Sequence, residues 1–178
     1  MSATVTIDDI SRRIRDVPDF PKPGVLFKDI TPLLLDAAAF RRTIELMAAP
    51  FRESGVTRVV SIESRGFLLG APVALALEAG LVPIRKPGKL PSERGRVEYA
   101  LEYGTDALEM HTDAVGARDR VLIVDDVLAT GGTAQAAAKL VRAHRAEVVG
   151  FTFLIELDFL KGRARLASER VEALLHYT

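Results

Sequence analysis

Cysteine is absent from the 178 residues. That excludes disulfides, thiolate metal sites and a cysteine nucleophile, and it fits a reducing compartment such as the cytoplasm. Net charge is also missing, because 24 Lys and Arg balance 24 Asp and Glu. Chains that live on nucleic acid usually carry a basic excess, so no nucleic-acid partner is expected. Long apolar runs are missing too. The stretch from Gly66 to Leu77 is free of charge for only twelve residues, and a membrane-spanning helix needs roughly twenty, so no membrane partner is expected. The opening Met1-Ser-Ala-Thr-Val-Thr-Ile-Asp-Asp has no basic region followed by an apolar one, so no signal peptide is expected. There is no internal repeat. The three histidines, His111, His144 and His176, are scattered without ligand spacing, so no histidine metal site is expected.

The remaining composition is that of an ordinary globular protein, 48% apolar and 27% charged. Its length fits one domain, residues 1–178. Ile7, Ile10 and Ile14 predict a short amphipathic helix after Asp8 and Asp9. Pro18, Pro21 and Pro23 forbid helix and predict an extended, turn-rich segment through Gly24. Helices are predicted over 37–52, 66–78 and 131–144, and strands over 58–62, 81–84, 120–124 and 148–157. Arg85 to Arg96, with two prolines and two glycines, reads as a loop. Apolar strands alternating with helices predict an α/β fold with a mostly parallel central sheet flanked by helices. Ligands of such sheets gather at the carboxyl ends of the strands.

The strongest signal is there. Val121-Leu-Ile-Val-Asp125-Asp126-Val-Leu-Ala129-Thr130-Gly131-Gly132-Thr133 runs from a buried strand, through two carboxylates and a small-residue loop, into a helix. Free amides and the helix dipole favour an anion at that helix start, and glycine lets backbone approach a phosphate. No Walker lysine follows, and no Gly-x-Gly-x-x-Gly occurs, so neither a triphosphate loop nor a dinucleotide fingerprint is present. Alone, the loop would be read as a helix cap. Asp125 and Asp126 add acceptors for vicinal hydroxyls and negative charge for a sugar cation. Together the two features describe a sugar 5-phosphate.

The strand, the Asp-Asp pair and Ala-Thr-Gly-Gly-Thr resemble the phosphoribosyl-diphosphate motif of the type I phosphoribosyltransferase family. Three further stretches resemble the branch of that family that uses adenine: Phe20 to Pro32, Glu63-Ser64-Arg65-Gly66-Phe67, and Ile84 to Pro91 with Leu101-Glu102-Tyr103-Gly104. Leu154 to Leu157 and Leu160-Lys161-Gly162 agree as well. The similarity runs from about Ile10 to the end.

The resemblance implies the type I fold with a small hood, a base-binding segment near 18–32 and a flexible hood loop near 90–109. It implies transfer of 5-phosphoribose from phosphoribosyl diphosphate to adenine, giving AMP and pyrophosphate, by a cytoplasmic homodimer. Mg²⁺ is implied as the cofactor, held mainly by substrate and water. Ala129, Thr130, Gly131, Gly132 and Thr133 would take the 5-phosphate. Ser64, Arg65, Arg85, Lys86 and Lys89 would take the pyrophosphate, with Ser64–Arg65 or Glu63–Ser64 as a candidate cis peptide. Asp125, Asp126, Arg65 and Glu102 would be catalytic, and Tyr103 would close as a lid. Leu26, Phe27, Lys28 and Leu157 would meet adenine, which main-chain groups beside Phe27 would read. An enzyme for a 6-oxo purine would need a side-chain donor, for which Lys161 is the candidate. A regulatory sensor of the same ligand is disfavoured by the balanced charge and the lack of spare length.

Overall fold

The computed structural model describes residues 4–101 and 104–178. Where the length pointed to one domain, the chain divides into two compact units, Met1–Leu46 and Met47–Thr178.

The first unit opens with helix α1 (Ile7–Ser11). Thr6 Oγ1 accepts from the Asp9 amide at 3.2 Å, and the Asp9 carboxylate accepts from the Thr6 amide at 2.9 Å. This reciprocal cap fixes the start. The helix ends before Ile14, one turn sooner than the isoleucine spacing implies. The proline segment excludes helix as expected, and two short strands flank it. β1 (Arg15–Pro18) and β2 (Leu26–Asp29) pair antiparallel, with Val17 opposite Phe27. Helices α2 (Thr31–Leu35) and α3 (Ala37–Ala48) follow. Asp36 accepts from the amides of Ala38 and Ala39 at 3.1 and 3.0 Å and so caps α3. Ala39, Thr43 and Ile44 lie on its buried stripe. A 3₁₀ turn at Ala49–Phe51 carries the chain on where one helix through Arg52 was expected.

The second unit is built on a five-stranded sheet. Its strands are β3 (Arg58–Ile62), β4 (Gly80–Ile84), β7 (Arg120–Leu128), β8 (Glu147–Leu157) and β9 (Val171–Tyr177). The order is β4-β3-β7-β8-β9, and every pairing is parallel. Helix α4 (Gly66–Ala76) links β3 to β4, and α5 (Gly132–Ala143) links β7 to β8. Strand alternation sorts the two faces. Val60, Ile62, Val121, Ile123, Phe151 and Phe153 share one core with Ala134, Ala137 and Leu140 of α5. Ser61, two-periodic with Val59, lies instead against Gly70 of α4, and the Thr152 hydroxyl donates to the Met47 carbonyl at 3.3 Å. Covered on both sides, the strands read as continuous apolar runs rather than as alternating ones.

Two further results differ from the sequence reading. β9 was not predicted. The region expected as a long hood loop is a hairpin, β5 (Arg94–Leu101) with β6 (Gly104–His111), paired from Arg94–His111 to Leu101–Gly104. Val97, Tyr99, Leu108 and Met110 turn its inner face onto the α5 core. Charged residues between them mask a period-two pattern. The loop predicted through Arg96 therefore ends at Glu93.

Candidate active site

The strand order reverses between β3 and β7. From β3 the chain moves outward to β4, and from β7 it moves the other way to β8 and β9. A crevice opens beyond the carboxyl ends at such a switch point. The two segments singled out in the sequence flank it: Glu63-Ser64-Arg65 leaves β3, and Asp125-Asp126 lies near the end of β7.

The acidic pair is not on a loop. β7 continues to Leu128, four residues further than predicted, and Asp125, Val127 and Leu128 pair with Phe153, Ile155 and Glu156 of β8. Alternation along the strand separates the two carboxylates. Asp126 is buried, and its Oδ2 lies 2.8 Å from Nε of Arg65, an ion pair across the switch point that lacks hydrogen-bond alignment. Arg65 stands at the N-terminus of α4. Asp125 borders the cleft instead, and its Oδ1 accepts from the Asp126 amide at 2.9 Å. Burial pushes the Asp125 carboxyl well above the usual range, and the charge of Asp126 adds to this.

Asp125 and the stretch Val127 to Ala134 line a cleft of about 320 Å³, with Phe153 behind them. All five residues predicted to hold a phosphate are in it. Gly131 has φ of 79°, which brings the loop into α5 at Gly132. No side chain caps this helix among the described residues. The reading as a plain Thr cap therefore fails, and the first amides of α5 remain available at the cleft. Thr133 Oγ1 makes a 3.4 Å contact with the Tyr99 hydroxyl of the hairpin.

The predicted pyrophosphate side is crowded with charge. The Glu63–Ser64 peptide is cis, one of the two bonds nominated. Glu63 accepts from two neighbouring cations, Arg85 at 3.2 Å and Lys89 at 2.6 Å, and from the Lys86 backbone amide at 3.0 Å. Burial would raise its carboxyl, but Lys89 and Arg85 hold it down to about 2. Lys86 pairs with Asp106 and donates to Tyr99 at 3.2 Å. Burial opposes its charge, and Asp106 and Tyr99 outweigh that and raise the ammonium above its ordinary value. Glu109, also buried, accepts from the Gly88 amide at 2.9 Å and pairs with Arg94 at 3.1 Å, tying the basic loop to the hairpin. The sequence reading missed Tyr99, Asp106 and Glu109, and it named Glu63 only within its loop, not as a partner of these cations. The cations nominated there carried a signal they lacked, because cations crowded into one loop repel one another unless acids lie nearby.

Leu26, Phe27 and Lys28 form β2 in the first unit. Phe27 meets Phe20 edge to face at 5.1 Å, and Lys28 pairs with Asp16 at 2.6 Å. Leu157 ends β8 in the second unit, half-buried. Glu102 and Tyr103 lie outside the described residues. Glu156, Asp158 and His176 come close enough to hold a cation. However, both oxygens of Glu156 are taken by Arg163, and the His176 ring lies 3.1 Å from the Asp158 carboxylate. No helix among the described residues is long and apolar enough to cross a membrane.

Comparison with known proteins agrees with this geometry. The family model for the phosphoribosyl transferase domain matches residues 34–171. The adenine phosphoribosyltransferase of Myxococcus xanthus is 59% identical over 99% of this chain and 96% of its own length. The crystal structure of adenine phosphoribosyltransferase from Thermoanaerobacter pseudethanolicus superposes with a TM-score of 0.94 at 50% identity, covering 97% of this chain and all of that one. The Saccharomyces cerevisiae enzyme, complexed with an imino-altritol bisphosphate and adenine, gives 0.89 at 40% identity, covering 95% and 98%.

Proposed function

The chain belongs to the phosphoribosyltransferase family, and within it to the adenine phosphoribosyltransferases; from that premise we propose how its residues divide the work. The enzyme transfers 5-phosphoribose from phosphoribosyl diphosphate to adenine, yielding AMP and pyrophosphate in purine salvage. The C1–oxygen bond to pyrophosphate breaks, N9 of adenine bonds to C1, and positive charge develops on the sugar in between.

The amides and hydroxyls from Ala129 to Thr133 hold the 5-phosphate. Asp125 and Asp126 accept from the ribose hydroxyls and stabilise the cationic ring. Arg65 orients Asp126 and, with Ser64, Arg85, Lys86 and Lys89, receives the leaving pyrophosphate. Phe27 offers a flat apolar face to the purine, and the main chain at Leu26 and Lys28 reads the 6-amino group. Leu157 packs on the base edge. Glu102 exchanges a proton at N7 as N9 attacks, and Tyr103 closes the site against water.

The donor set near β3 and β7 is made of oxygens, without thiolate or histidine, which suits a hard cation that keeps its waters. The buried Oδ2 of Asp126, which lacks a hydrogen bond, and the Asp125 carboxylate are the groups that would hold Mg²⁺ through water. When bound, Mg²⁺ neutralises charge on the diphosphate leaving group. We place the enzyme in the cytoplasm as a homodimer. The family resemblance supports both assignments, and the lack of cysteine is compatible with the first.

The single observation carrying the reading is the Asp125–Asp126 pair fixed between Arg65 and an uncapped helix start. Incubation with Mg²⁺, phosphoribosyl diphosphate and each of adenine, hypoxanthine, guanine and xanthine tests it. AMP formation should exceed the other products by orders of magnitude. Equal turnover of a 6-oxo purine would overturn the base assignment and direct attention to Lys161.

A further inference from the structure

The segment Leu160-Lys161-Gly162 has no part in the roles above, yet it lies directly under the cleft. A β-carbon on Gly162 would sit 2.1 Å from the Ala129 carbonyl oxygen and 2.9 Å from the Gly131 nitrogen. One on Gly131 would sit 2.5 Å from the Gly162 carbonyl oxygen. All three collisions are with backbone, which cannot swing aside as a side chain can. Two glycines far apart in sequence thus allow two stretches of main chain to touch.

The segment carrying Gly162 is itself anchored. Lys161 takes a left-handed conformation with φ of 52° and turns the chain into a short 3₁₀ segment, Gly162–Leu166. Arg163 then forks onto Glu156 at 2.5 to 3.1 Å and donates to the Val171 carbonyl at 2.8 Å. Glu156 is buried on β8 opposite Leu128, the last residue of β7, and Val171 begins β9. A planar guanidinium paired with a buried carboxylate is a rigid tie. The turn is therefore fastened to the same sheet that carries the two aspartates.

We propose that Gly162, seated by the Arg163–Glu156 pair, is a positioning residue for the sugar-phosphate end of the substrate. It forms the floor against which Ala129 to Gly131 rest, and it thereby sets where the first amides of α5 point. It touches no substrate. A displacement of about 1 Å in such a cradle is enough to cost up to about a hundredfold in function. The proposal rests on the assignment of Ala129 to Thr133 as the 5-phosphate site.

The test is isothermal titration of AMP and, separately, of Mg²⁺-pyrophosphate into the wild-type protein, Gly162→Ala, Arg163→Lys and Thr133→Ala. In Gly162→Ala the AMP affinity should fall at least tenfold while pyrophosphate affinity changes less than twofold. Arg163→Lys keeps the charge beside Glu156 but loses the fork, and should weaken AMP about threefold with the same selectivity. If Gly162→Ala fails to fold, Arg163→Lys decides alone. Equal losses for both ligands, or no loss for AMP, overturn the proposal. Thr133→Ala separates the two failures. If it loses AMP while the Gly162 and Arg163 variants do not, the positioning role is wrong and the phosphate site stands. If it binds AMP normally, the phosphate site is misassigned and the positioning role falls with it.

Discussion

The two walls of the crevice offer an anion opposite kinds of partner. Beyond β7, the stretch Ala129 to Thr133 carries no ionised side chain, and its donors are backbone amides at the start of α5. Beyond β3 and β4, Arg65, Arg85, Lys86 and Lys89 are each matched with Asp126, Glu63 or Asp106. Amides at a helix start are fixed and cannot be neutralised, which suits a phosphate that stays with the sugar throughout. Paired side chains can change partners, which suits a group that must arrive bound and depart free. The difference separates a permanent grip from an exchangeable one.

The comparison breaks most visibly at the residue linking both walls. Asp126→Asn removes the charge facing Arg65 and the developing cation, and kcat should drop by at least about a hundredfold, the usual loss when one oriented electrostatic group is removed. Circular dichroism should show an unchanged fold. Unaltered turnover would refute the role given to the acidic pair. Glu63→Gln acts on the exchangeable side only. It removes the anion that positions Arg85 and Lys89, so the KM for phosphoribosyl diphosphate should change by about tenfold, in line with a hydrogen bond between charged groups. The KM for adenine should stay within about twofold. The same variant has a pH signature. A carboxyl held at about 2 against an ordinary 4.5 stabilises the fold fully above pH 4.5, and this contribution is lost as pH falls toward 2. Urea unfolding across that window should be flatter in Glu63→Gln than in the wild type, and an identical slope would remove Glu63 from the account. The smallest effect belongs to Asp125. Its carboxyl is raised by burial and by its neighbour, so ionising it costs stability as pH climbs past the ordinary range. Asp125→Asn should unfold a few degrees higher at pH 7 by scanning calorimetry, at the expense of turnover, on the scale of about 2–4 °C per kcal/mol for a chain of this size. A lower Tm would show that the residue stabilises the unliganded enzyme.

Much of this architecture could be read in the sequence, for a definite reason. β3, β7 and β8 are buried on both faces, so their apolar runs are uninterrupted, and the loops between them carry chemistry that recurs in few other contexts. The hairpin was hidden because, among its described residues, Val97, Tyr99, Leu108 and Met110 pack on the α5 core with arginine, glutamate and aspartate between them. β9 was hidden because its central residues, Glu172 to Leu174, are only half-buried at the edge of the sheet. At the site, the shape of the loop into α5 was legible because it resides in local backbone. Glu63, Tyr99, Asp106 and Glu109 were not, because each matters through a partner distant in sequence. Pairing of that kind leaves no local pattern. Asp125 and Asp126 were placed after the strand by their polarity, whereas the pairing with β8 continues past them.

That last detail decides which parts of the enzyme are free to move. A carboxylate carried on a hydrogen-bonded ladder has no hinge of its own, so the acids cannot follow a substrate as it shifts along the reaction path. They serve as a stationary datum. Whatever travel the reaction requires, the substrate must supply it.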